Sequence, residues 1–64
     1  MTPQKAKQLG YDVIQASVFE VGLIKNGKGI RTWWAKDFGK RLPSLAHPEI
    51  QRAIRINEAP LPKR

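Results

Sequence analysis

Sixty-four residues carrying a net charge of +7 make one small, strongly basic domain, and a chain this short buries only roughly 60% of the surface its unfolded form exposes. The absence of cysteine excludes disulfides and thiolate metal sites, and the single histidine leaves no imidazole partner for a metal. No apolar run approaches the ~20 residues that span a bilayer, and no apolar segment follows the charged N-terminus, so the reading is a cytoplasmic protein with neither signal peptide nor membrane partner.

In chain order, Thr2-Pro3 reads as an N-cap followed by proline at the first helical position. A short helix over Gln4–Leu9 follows, stopped by Gly10 in a left-handed conformation. Two turns are too few to persist alone, so Ala6 and Leu9 must dock on the rest of the domain beside Tyr11.

The segment 13–24 is rich in β-branched and aromatic residues, and 30–36 has the same character. Between them Asn26-Gly27 is the strongest short-range hairpin signal, because both residues accept the positive φ of a type I′ turn. The first arm is long, and a bend at Ala16-Ser17 would divide it into Tyr11–Gln15 and Val18–Ile24, giving three strands instead of two. Gly22 inside that arm suggests a bulge or a close backbone approach. Strand periodicity across a two- or four-residue turn places Phe19, Val21, Leu23, Ile30 and Trp34 on one face, the expected core. The other face then carries Val18, Glu20, Gly22, Ile24, Arg31, Trp33 and Ala35. If no helix covers it, Trp33 is an exposed aromatic beside a guanidinium, and otherwise Trp33 covers Gly22 and completes a second small core.

Gly39 and Pro43 break the next segment, in which Leu42 and Leu45 are expected to tuck under the sheet. His47-Pro48-Glu49 opens a helix over 48–58. Ile50, Ala53, Ile54 and Asn57 share one face, Gln51, Arg52 and Arg55 lie opposite, and Ile56 flanks the apolar stripe. Residues 59–64 hold two prolines and end in Lys-Arg, an extended basic tail beyond a single domain of residues 1–58. The fold class is therefore α+β: a small antiparallel sheet of two or three strands built on the central hairpin (13–24 and 30–36), with a short N-terminal helix and the helix 48–58 packed on the sheet.

Catalytic motifs fail on inspection. The stretch from Gly22 to Lys28 approaches a P-loop, but Gly29 stands where magnesium binding needs Ser or Thr, and no doubly wound sheet fits this chain. Asp37-Phe38-Gly39 spells the metal-binding triplet of protein kinases without the glycine-rich loop, the strand lysine or the catalytic loop. Ser17 and Ser44 have only His47 as a conceivable base, and His47 reads as a helix cap. The expectation is a non-enzymatic protein without cofactor or metal.

What remains is a basic constellation. Lys25, Lys28 and Arg31 cluster at the hairpin tip, Lys36, Lys40 and Arg41 follow the second arm, and Arg52 and Arg55 line the last helix, with Trp33 as the aromatic contact. Unbalanced positive charge repels itself unless an anionic partner offsets it, and long cations suit phosphates. The leading expectation is a nucleic-acid-binding, chiefly DNA-binding, regulatory protein of the kind carried by phages and plasmids, its hairpin entering a groove. The alternative is an interaction module or inhibitor that docks on an acidic protein through the Trp33 face or the free sheet edge. A homodimer is compatible with either.

Overall fold

The computed structural model describes residues 1–59, so the expected tail falls outside the described residues beyond Ala59. The order is α1 (Pro3–Gln8), β1 (Tyr11–Gln15), β2 (Glu20–Lys25), β3 (Lys28–Trp34), a 3-10 turn over Ala35–Phe38, and α2 (Pro48–Glu58). This is the expected α+β arrangement, with three antiparallel strands in the order β1-β2-β3.

Local chemistry sets the element ends. The Thr2 hydroxyl accepts the Lys5 N–H at 3.1 Å, which satisfies an otherwise orphaned donor of α1. Nδ1 of His47 accepts the Glu49 N–H at 3.1 Å and caps α2 in the same way. Gly10, with φ 96°, turns the chain from α1 into β1, and its carbonyl accepts the Asn26 N–H at 2.9 Å. A side chain there would also collide with Asn26, whose Oδ1 lies 2.0 Å from where a Cβ would stand.

The bend at Ala16-Ser17 does divide the first arm. The N–H groups of Ala16 and Ser17 both donate to the Glu20 carbonyl, at 2.9 and 3.2 Å, so the chain reverses there and β2 starts at Glu20. The second hairpin turns on Asn26 (φ 53°) and Gly27 (φ 82°), the positive pair that a type I′ turn requires.

The core face differs from the periodicity argument, and the cause is one residue. Lys25 pairs with Lys28 and Ile24 with Gly29, but Leu23 pairs with Arg31, so Ile30 is an extra residue in β3. An even shift preserves the faces of a strand, whereas a one-residue bulge exchanges them for everything beyond it. Trp33 accordingly lies opposite Val21 in the core and is 9% exposed, while Trp34 lies opposite Glu20 and is 58% exposed. Both tryptophan assignments are therefore reversed. Phe19 is also displaced from the expected core: it sits in the bend before β2 and is 71% exposed. Val21 and Leu23 are buried as expected, Ile30 is half-buried against the core, and of the two leucines Leu45 packs inward while Leu42 is exposed.

Both helices contribute to the same core. Ala6 of α1 and Ile50, Ala53 and Ile54 of α2 cluster with Tyr11, Val13, Val21, Leu23 and Trp33. The Trp33 ring meets Phe38 edge-on at 5.9 Å, and Phe38 meets His47 in the same manner at 4.9 Å, which ties the 3-10 turn and the cap of α2 to the sheet.

The bulge makes the two tryptophans unequal. Trp33→Ala should cost about 3–5 kcal/mol, enough to unfold much of a marginal domain. Trp34→Ala should change stability by no more than about 0.5 kcal/mol. Urea unfolding of the two variants checks this, and the opposite ranking would restore the unbulged register.

Candidate functional site

The cations singled out in the sequence do not converge on one patch. At the hairpin tip Lys28 is exposed, but Lys25 is engaged: its Nζ lies 2.9 Å from Oε2 of Glu58 and 5.1 Å from the centre of the Tyr11 ring. The Tyr11 hydroxyl donates to the same carboxylate and accepts from Nδ2 of Asn57 at 2.8 Å. These four side chains form a clasp that fastens the end of α2 to β1 and β2. The hydrogen bond from Tyr11, and then that from Lys25, hold the Glu58 carboxyl below its ordinary range. Glu58 in turn raises the Lys25 ammonium, and burial followed by the Glu58 hydrogen bond raises the Tyr11 phenol. Lys25 is thus a structural residue first.

A second group lies on the helix side. Arg31 places its guanidinium 5.0 Å from the Trp33 ring centre, a cation–π arrangement. Arg52 and Arg55 are exposed on α2, and Arg52 stands 3.9 Å from Glu49. The juxtaposition of Arg31 and Trp33 was legible from the sequence, but its placement was not. Trp33 is 9% exposed, packed in the core with the Arg31 guanidinium over its ring, so it leaves the candidate site.

The third group, Lys36, Lys40 and Arg41, is exposed at the far end of β3, roughly 20 Å from the hairpin tip at ~3.3 Å per residue. Here lies a groove of about 410 Å³ lined by Gln15, Val18, Phe19, Trp34, Lys36 and Lys40. Val18 is 77% exposed, and with Phe19 and Trp34 it forms an exposed apolar cluster beside two lysines. The groove adjoins the sheet face opposite the helices, where Ile14, Gly22, Ile24, Thr32 and Trp34 lie by register. A Cβ at Gly22 would meet carbons of Ile14 and Ala16 at 3.6 Å, an ordinary contact, so close approach does not require glycine at this position.

Phe19 and Trp34 are the candidates that sequence reasoning missed, since both were assigned to the core. Their signal was indirect: an apolar residue next to a bend, and an adjacent tryptophan pair of which a strand can bury only one on each face. Among the described residues no group of three His, Cys, Asp or Glu side chains is placed to hold a metal. No family model matches the chain, and no curated protein or solved structure is significantly similar to it.

The clasp has a pH signature with a definite sign. Because the folded pKa of Glu58 is lowered, its contribution is present above the unfolded value near 4.5 and is lost as pH falls through the lower folded value. Glu58→Gln should therefore be less stable than the native chain at neutral pH, with the gap closing on acidification below 4.5. Urea midpoints of both chains across that range measure it.

Proposed function

We propose that this chain is a small, non-enzymatic nucleic-acid-binding protein of the cytoplasm, regulatory in role and with DNA as its leading partner. The observation that supports this reading best is unneutralised charge. Two ion pairs link the described residues, Lys25–Glu58 and Arg52–Glu49, and they leave Lys5, Lys7, Lys28, Arg31, Lys36, Lys40, Arg41 and Arg55 without an acidic partner there. So many free cations on so small a surface favour a polyanion, because each neutralised phosphate releases a condensed counterion.

The geometry moves the weight of the reading within the chain. With Lys25 held by Glu58 and Arg31 lying over the Trp33 ring, a ribbon inserted into a groove loses one of its three expected tip cations and keeps Lys28 as its free lysine. Lys36, Lys40 and Arg41 at the other end of β3 become the principal phosphate contacts, with Arg52 and Arg55 as a separate helix-side group. An acidic protein partner is the second reading, and the exposed Val18 and Phe19 are what favour it. Among the described residues no helix is long and apolar enough to cross a membrane.

Fluorescence anisotropy with a labelled mixed-sequence DNA duplex, and with RNA of the same sequence, at salt rising from about 50 to 200 mM tests the proposal. The expected result is binding whose log–log salt slope is about −0.9 per phosphate contacted on a duplex. Replacing Lys36 or Arg41 by Ala should flatten that slope by about one unit each. Lys25→Ala should leave it unchanged. Absence of binding to both nucleic acids at the lowest salt would refute the reading.

A further inference from the structure

The groove between Phe19 and Trp34 fits one kind of nucleic acid better than another. We propose that it is a stacking site for unpaired bases, so that the preferred ligand is a single strand. The inference rests on the nucleic-acid reading above and narrows it.

Two features on either side of the groove carry it. The first is aromatic: Trp34 is 58% and Phe19 71% exposed, although both are large apolar side chains that a small basic domain would ordinarily use in its core. Base faces stack on such rings whatever the base, which gives affinity without sequence reading. The second is charge: Lys36 and Lys40 line the same groove, and no acidic residue does. The carboxylate across the sheet from Trp34, that of Glu20, accepts a hydrogen bond from the Ser17 hydroxyl at 3.1 Å.

The duplex is disfavoured on geometry. Bases inside a double helix are stacked on their neighbours and expose only edges, so a concave aromatic site gains nothing from them. An unpaired base presents its face, and its flanking phosphates fall within reach of flexible lysines. A second copy of this chain is a poor occupant, because each copy brings a net charge of +7 and its own Lys36 and Lys40 to the contact. The groove volume of about 410 Å³ lies within the range of ~300–1,000 Å³ common for ligand sites. Two exposed aromatic side chains, two lysines in the same lining and a self-repelling charge together select a flexible anion with planar rings.

The test uses the full chain with three labelled probes: oligo-dT, oligo-U and a mixed-sequence duplex of equal length. The expected result is that both single strands bind about tenfold or more tightly than the duplex at matched salt. Trp34→Ala or Phe19→Ala should weaken single-strand binding by about 10- to 100-fold, while duplex binding changes less than twofold. Binding should quench the intrinsic fluorescence of the native chain, and Trp34→Phe should abolish the quenching while Trp33 still emits. Circular dichroism of each variant confirms the fold. Comparable binding of single strand and duplex, with no effect of Trp34→Ala, would overturn the stacking site and leave the nucleic-acid reading standing. Failure of all three probes to bind would remove that reading and this inference with it. A difference between oligo-dT and oligo-U identifies DNA or RNA as the preferred strand.

Discussion

Opposite Ile24 and Leu23, strand β3 uses three residues, Gly29 to Arg31, where a regular ladder would use two. The extra residue, Ile30, leans into the space beside α2 as a half-buried side chain and adds to the core. Its larger effect is on parity. Beyond it every side chain of β3 changes face, so Trp33 enters the core beneath the helices and Trp34 is left on the outside. Which aromatic stabilises the fold and which is available to a partner is decided at that single position.

The clasp, beside the bulge at the hairpin-tip end of the sheet, answers a different constraint. A domain of this size cannot rely on the area of its core alone. Tyr11, Lys25, Asn57 and Glu58 join the end of α2 to two strands through hydrogen bonds and one ion pair, all between residues more than 30 positions apart in sequence. One internal cost is visible as well: Nε1 of Trp33 is buried without a hydrogen-bond partner among the described residues. Leaving such a donor unpaired costs about 1–3 kcal/mol, and the packing of the indole against Phe38 and the core offsets it. Stability and charge are thus separated in space, since the clasp consumes Lys25 while Lys36 and Lys40 stay free.

Much of the fold was legible in local chemistry. Thr2-Pro3, Gly10, Asn26-Gly27 and His47-Pro48 each terminate or turn the backbone through their own side chain or φ preference, and α2 spans the residues its apolar spacing indicates. The face assignment of β3 was not legible, because a bulge is an odd insertion that leaves no composition signature beyond the neighbouring Gly29. Register arguments propagate such an error along a whole strand, which is why both tryptophans moved together. The clasp was invisible for a different reason: Glu58 finds its partners through tertiary packing, and nothing within one helical turn announces them. The basic residues were identifiable as a class, but their division among tip, groove and helix side depends on the fold.

Cross-strand contacts measured by nuclear Overhauser spectroscopy on the native chain test the central claim most directly. The bulged register requires backbone contacts of Leu23 with Arg31, Val21 with Trp33 and Glu20 with Trp34, together with contacts between the Trp33 and Phe38 rings. Pairing contacts of Gly22 with Arg31 and of Val21 with Thr32, with the Trp34 ring among the core methyl groups, would contradict it and return Trp33 to the surface.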